Sequence, residues 1–148
     1  MADRALLLDR DGTLIVDVGY PSDPATVEIL GDAARVLAAL QRDWKLVVIS
    51  NQSGIGRGRI TPAQATAVHE RFVALFAAHG VTFAGCYYCP HAPDAGCACR
   101  KPAPGMILDA ARELGLDLAR SIAIGDKARD LAAGRAAGCA AAIARLGR

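Results

Sequence analysis

Two acids spaced one residue apart open the chemistry of this chain. In Asp9-Arg10-Asp11-Gly12-Thr13 an extended backbone turns both carboxylates to one side, and Gly12 permits a tight turn behind them. Adjacent carboxylates repel, so either a cation joins them or one keeps a proton. A calcium loop also begins Asp-x-Asp, but its later ligand positions fall here on Thr13, Leu14 and Tyr20. Few carboxylates with phosphate-compatible surroundings suit Mg²⁺ instead, with Asp126 as the natural third acidic ligand beside Asp9 and Asp11. Lys101, stiffened by Pro102 and Pro104, is placed to act as a point charge on a phosphate. Arg57 and Arg59 in Gly54-Ile55-Gly56-Arg57-Gly58-Arg59 could grip a second anion, although no Gly-Lys-Ser/Thr follows to make this run a nucleotide loop.

A second constellation is built on sulfur. Of five cysteines, Cys89, Cys97 and Cys99 join His91 in Cys-x-His-x5-Cys-x-Cys, a Cys₃His set that suits a closed tetrahedral Zn²⁺ site. Free thiols or a redox pair are the alternatives, and an odd cysteine count argues against a disulfide framework. A zinc module for nucleic acid is disfavoured because no basic helix follows the ligands. The metal is expected to order the loop over residues 89–104 and to set Arg100 and Lys101 beside the phosphate. Cys86 and Cys139 are expected as core thiols, and His69 and His79 as surface residues of a helix.

The elements that must position these groups alternate in type. Ala5–Leu8 and Leu46–Ile49 are continuous apolar runs, the pattern of strands buried on both faces. Further strands are expected around Val81–Tyr88, over Ser121–Ile124 and over Ala140–Ala144. Helices are expected near Asp32–Gln41, after the cap Thr61-Pro62 with Gln64 completing a capping box, over Gly105–Leu114 before Gly115, and over Lys127–Ala137 before Gly138. Alternating strands and helices imply an α/β fold with a mostly parallel sheet covered on both sides. Ligands bind such sheets at the carboxyl ends of the strands. Those ends read Asp9-Arg10-Asp11, Ser50-Asn51-Gln52-Ser53 and Gly125-Asp126-Lys127. Helix capping and turns explain any one of these clusters; three together point to a ligand.

Composition narrows the function classes. The 148 residues are 53% hydrophobic and 22% charged, which is globular composition, and the length suits a single domain over 1–148. Seventeen basic against fifteen acidic residues, a net charge of +2, leave no footprint for nucleic acid, and 5% aromatics disfavour base stacking. Apolar runs are too short for a membrane span or a signal-peptide core, so a cytoplasmic protein with no membrane partner is expected.

The motifs carry a resemblance. Asp9-Arg10-Asp11-Gly12-Thr13, Ser50, Lys101 and Gly125-Asp126-Lys127 with Asp130 resemble, in order and spacing, the four motifs of the haloacid dehalogenase-like phosphatases. Cys89-Pro90-His91 and Cys97-Ala98-Cys99-Arg100-Lys101-Pro102 are similar to the capless branch that acts on heptose bisphosphate and histidinol phosphate. The resemblance implies a three-layer Rossmann-like domain of about five strands in the order 3-2-1-4-5, without a cap and with a zinc-stabilised loop. It implies Asp9 as the nucleophile that forms an aspartyl-phosphate and Asp11 as general acid and base. Ser50 and Lys101 would hold the phosphoryl oxygens, Mg²⁺ would sit on Asp9, Asp126 and the Asp11 carbonyl, and Asp130 would orient Lys127 or a metal-bound water. With no cap, loops must recognise the substrate: Asp17, Gly19, Tyr20, Asn51, Gln52, Ser53, Arg57, Arg100 and Lys127 are the expected contacts. The substrate implied is a phosphorylated sugar, a heptose 1,7-bisphosphate losing its 7-phosphate on the way to nucleotide-heptose and lipopolysaccharide core precursors. Histidinol phosphate and a broader range of sugar phosphates are the alternatives, and a monomer is expected.

Overall fold

A computed structural model describes residues 2–144. Five parallel strands, β1 (Ala5–Leu8), β2 (Lys45–Asn51), β3 (Gly85–Cys89), β4 (Ile122–Gly125) and β5 (Ala141–Ala144), form one sheet in the order β3-β2-β1-β4-β5. The central register pairs Leu7 with Val47 on one side and with Ala123 on the other. Strand alternation divides the core. Ala5, Leu7, Val47 and Ile49 pack on one face with Met106, Ile107 and Ala110 of α3 (Gly105–Leu114) and Ala133 of α4 (Ala128–Ala137). Leu6, Leu8, Leu46 and Val48 pack on the other face with Ala34 and Leu37 of α1 (Ala33–Leu40) and Phe72 and Phe76 of α2 (Pro62–Ala77). Both faces are therefore apolar, and the three-layer architecture and strand order are those expected.

The local signals act as read. Thr61 Oγ1 accepts from the Gln64 N–H at 3.1 Å while Gln64 Oε1 accepts from the Thr61 N–H at 2.9 Å, closing the capping box of α2. Gly115, at φ +67°, ends α3 in the left-handed conformation that favours glycine.

One strand begins later than expected. Residues 81–84 are not in β3: Val81 N–H bonds Phe76 O at the end of α2 and Thr82 N–H donates to Gln41 Oε1 at 3.0 Å, so the chain first meets β2 at Ala84, whose N–H bonds Leu46 O at 2.7 Å. At its other end β2 runs past Ile49, so Ser50 and Asn51 are strand residues paired with Tyr88 and Cys89. Among the described residues no helix is long and apolar enough to cross a membrane.

Candidate active site and thiol cluster

The carboxyl ends of β1, β2 and β4 meet at a cavity of about 320 Å³. Asp9, Asp11, Asp17, Gly19 and Tyr20 line it from the exit of β1. The exit of β2 contributes Ser50, Asn51, Gln52, Ser53 and Arg57, and Arg100 and Lys127 complete the expected set. Arg129 of α4 also lines the cavity and was not expected there; as the second residue of α4 it is carried to the mouth by the same helix start that presents Lys127.

Lys101 sits behind Asp9, within the protein. Its side chain is 4% exposed; its Nζ donates to Asp9 Oδ1 at 3.0 Å and to Ile49 O at 2.7 Å, and it forms an ion pair with Asp130, whose Oδ1 lies 2.5 Å away. Asn51 clamps the lysine's backbone, its Nδ2 donating to Lys101 O at 3.1 Å and its Oδ1 accepting from Lys101 N at 2.9 Å. The polar groups of Asn51 are thus directed at Lys101, whereas a substrate contact was expected. Asp130 Oδ2 accepts from the Lys127 N–H at 3.0 Å, so this buried acid orients both lysines.

Two glycines make the acidic corner. At Gly12, φ +86°, a Cβ would run into the Asp126 carboxylate, and at Gly125 a Cβ would run into Asp130. Asp9, Asp126 and Asp130 consequently bring ligand oxygens within 4.8 Å of one another. Burial raises the Asp9 carboxyl to about 7; Lys101 opposes the rise, and Asp130 and Asp126 add to it. Asp9 and Asp130 share the buried Lys101 ammonium, and Asp126 has the Lys127 Nζ at 3.5 Å nearer the surface. Asp126 Oδ1 is buried without a hydrogen-bond partner, an arrangement that fits a hard divalent cation held by Asp9 and Asp126. Arg100 Nη1 is likewise buried and unpartnered, as a donor awaiting an anion would be.

The Asp11 carboxylate stands outside this acidic group. It is turned to Arg10, whose Nη2 lies 3.2 Å from Oδ2, and to Gln52, whose Nε2 donates to Oδ2 at 2.8 Å. Gln52 Nε2 also donates to Ser50 Oγ at 2.7 Å, so the Gln52 amide is held by protein partners. Around the rim, Asp17 Oδ1 accepts from the Gly19 N–H at 2.9 Å, Arg57 Nε donates to Ser53 Oγ at 3.1 Å, and Arg59 stacks over Tyr20.

Arg10 is the residue that sequence reasoning passed over. Between the two acids, Arg10 is buried under Tyr88 with its guanidinium turned to the Asp11 carboxylate. His69 is also not the surface residue expected: it is half-buried, with Nδ1 2.7 Å from Tyr88 Oη. Burial and the Arg10 charge lower its pKa.

The four sulfur-loop residues converge. Cys99 Sγ donates to Cys89 Sγ at 2.8 Å, His91 Nδ1 lies 3.2 Å from Cys99 Sγ and 3.3 Å from Cys89 Sγ, and all four ligand atoms fall within 4.8 Å of one another. Burial and the Cys99 contact push the Cys89 thiol up to about 12. At Cys97 burial also raises the pKa, but hydrogen bonds from the Arg100 backbone and the neighbouring thiols outweigh it and bring the thiol to about 6. Three sulfurs and one imidazole nitrogen at these separations fit Zn²⁺ by donor type and number. The loop is tied to the cavity wall: Gln52 N–H bonds Cys89 O at 2.7 Å and Gly56 N–H bonds Pro90 O at 2.8 Å. A Cβ on Gly56 would meet Ala92 N at 2.6 Å. Cys86 and Cys139 are partly buried against the two cores.

A parallel sheet with an acidic corner at the exits of β1 and β4 and a buried lysine behind it defines a HAD-like hydrolase. The HAD-hydrolase-like family model matches residues 98–148. The chain is 43% identical over 153 residues to the D-glycero-beta-D-manno-heptose-1,7-bisphosphate 7-phosphatase of Vibrio cholerae, covering 93% of this chain and 78% of that protein. It is 38% identical to the protein of the same name from Bordetella bronchiseptica, covering 97% and 82%. The crystal structure of D,D-heptose 1,7-bisphosphate phosphatase from B. bronchiseptica, complexed with magnesium and phosphate, superposes with a TM-score of 0.86 at 41% identity, covering 93% of this chain and 78% of that one. The chain belongs to the HAD-like hydrolases, in the family of the D-glycero-beta-D-manno-heptose-1,7-bisphosphate 7-phosphatases.

Proposed function

We propose that the protein hydrolyses phosphomonoesters through Asp9 and that its substrate is D-glycero-D-manno-heptose 1,7-bisphosphate, from which it removes the 7-phosphate. The observation that carries this reading is the Asp9 carboxylate, fixed by Lys101 at 3.0 Å and open to a polar cavity with cations at its rim. Asp9 attacks phosphorus in line with the leaving sugar oxygen, and the P–O bond to the sugar breaks as the bond to Asp9 forms. Asp11 gives its proton to the departing oxygen and then takes one from the water that releases phosphate. Ser50, on the cavity wall, would hold a phosphoryl oxygen where charge spreads, and Lys101, behind Asp9, would offset that charge. Mg²⁺ held by Asp9 and Asp126, with the carbonyl of Asp11, would supply charge neutralisation for the phosphoryl group. Zn²⁺ held by Cys89, His91, Cys97 and Cys99 would be structural, ordering the segment that ends in Arg100 and Lys101.

A second phosphate needs its own cation, and Arg57, Arg100 and Arg129 stand at the same cavity as Asp9. That favours a bisphosphate over histidinol phosphate. Steady-state kinetics with both compounds test the choice. Higher kcat/KM for the heptose bisphosphate, with phosphate release abolished by EDTA and restored by Mg²⁺, is the expected result; equal or higher kcat/KM for histidinol phosphate overturns the substrate.

A further inference from the structure

The mechanism leaves Arg10 unused, yet it is among the most constrained side chains of the site. It is 2% exposed, with its guanidinium 5.2 Å from the centre of the Tyr88 ring and 5.9 Å from that of Phe72. A buried cation is costly unless its donors are met, and here the fork is spent on two partners. Nε reaches Asp11 Oδ1 at 3.3 Å, and Nη2 reaches Asp11 Oδ2 at 3.2 Å and Gln52 Oε1 at 3.0 Å. Gln52 Nε2 then bridges Asp11 Oδ2 at 2.8 Å and Ser50 Oγ at 2.7 Å. Both Asp11 oxygens are thereby held by side chains seated in the wall, and the planar guanidinium fixes the plane of the carboxylate.

We propose that Arg10 and Gln52 are positioning residues that aim Asp11 at the water attacking phosphorylated Asp9, so that losing either slows discharge of the covalent intermediate more than its formation. The inference rests on the phosphatase reading above. In the discharge step the water oxygen bonds to phosphorus as the P–O bond to Asp9 breaks. The bonding pair returns to the Asp9 carboxylate, the water's proton passes to Asp11, and inorganic phosphate leaves. Proton transfer requires hydrogen-bond reach, and a misplacement of about 1 Å costs on the order of a hundredfold. Formation from an aryl phosphate makes no such demand, because the phenolate leaves without a proton.

The test is pre-steady-state release of p-nitrophenolate from p-nitrophenyl phosphate in Mg²⁺ by the full chain, its Arg10→Met, Arg10→Lys and Gln52→Leu variants, with folded fraction read from thermal melts. The expected result is a burst approaching one equivalent per folded enzyme in each variant, followed by steady turnover roughly ten- to a hundredfold slower than wild type. Arg10→Lys does not restore the steady rate, since an ammonium lacks the planar fork. Should Arg10→Met fail to fold, Gln52→Leu at the cavity wall carries the same readout. Burst and steady rate falling together, or an unchanged Gln52→Leu enzyme, overturns the inference and leaves the phosphatase reading standing. No p-nitrophenolate from the wild-type protein overturns both.

Discussion

The acidic corner and the sulfur loop both crowd ionisable groups together, but they are built by opposite means. Asp9, Asp126 and Asp130 come from two strand exits and a helix, across more than a hundred positions of chain, and glycines at 12 and 125 let them close in. Cys89, His91, Cys97 and Cys99 come from eleven consecutive positions. The first group is held by the sheet and strains against it, since Asp9 is raised to about 7 by burial and like charge. The second has no sheet to hold most of it, and its order must come from within the loop. The difference teaches which site depends on the fold and which helps to make it: the acidic corner should lower stability to gain chemistry, and the sulfur loop should add stability without performing any.

Breaking the acidic corner gives the largest expected effect. Asp9→Asn lowers kcat by about a thousandfold or more. In magnesium-free buffer it melts no lower than wild type. The sign follows from the raised pKa: the folded protein holds the Asp9 proton more tightly than the unfolded chain, so wild type loses stability as pH climbs from about 4 to about 7. The uncharged amide escapes that loss, so the melting-temperature difference between variant and wild type widens in the variant's favour over that range. A variant that melts well below wild type at pH 7 breaks the comparison.

Breaking the sulfur loop reverses the pattern. Cys97→Ser, or chelation of protein first loaded with Zn²⁺, lowers Tm by on the order of ten degrees and raises KM, with kcat at saturating substrate kept within about tenfold. Thermal melts and steady-state kinetics on the same samples check this, and a collapse of kcat with no loss of Tm would assign the loop to catalysis.

Smaller effects sharpen the link between the two regions. Asn51→Ala removes both clamps on the Lys101 backbone and is expected to lower kcat about tenfold with KM little changed, because the lysine stands behind Asp9. His69→Gln is the mildest. The lowered pKa means that His69 contributes stability above its ordinary range near 6.5, lost as pH falls. The variant should therefore show a flatter decline of Tm between about pH 7 and pH 5 than wild type.

Much of this was legible in the sequence because strands buried on both faces write themselves as unbroken apolar runs. Ala5–Leu8 and Leu46–Ile49 did so, and the polar residues that end them marked the edge of the cavity. The Cys/His cluster was legible because a local cluster is also a cluster in sequence. What stayed hidden depended on partners far along the chain. The start of β3 turned on Gln41, forty-one positions away from Thr82, taking an N–H that the β-branched run around Val81 appeared free to spend on a ladder. Arg10 drew its meaning from Gln52 and Tyr88, and the clamp of Asn51 on Lys101 spans fifty positions. Side-chain type and spacing located the site; which side chain holds which required the fold.

The central claim is that Asp9 becomes covalently phosphorylated during turnover. Acid quenching of the enzyme with its substrate in Mg²⁺, borohydride reduction and peptide mapping test it directly. The account predicts homoserine at position 9, formed only in the presence of substrate. An unmodified Asp9 in a sample trapped with accumulated phosphoenzyme, or a reduced residue at any other position, would contradict it.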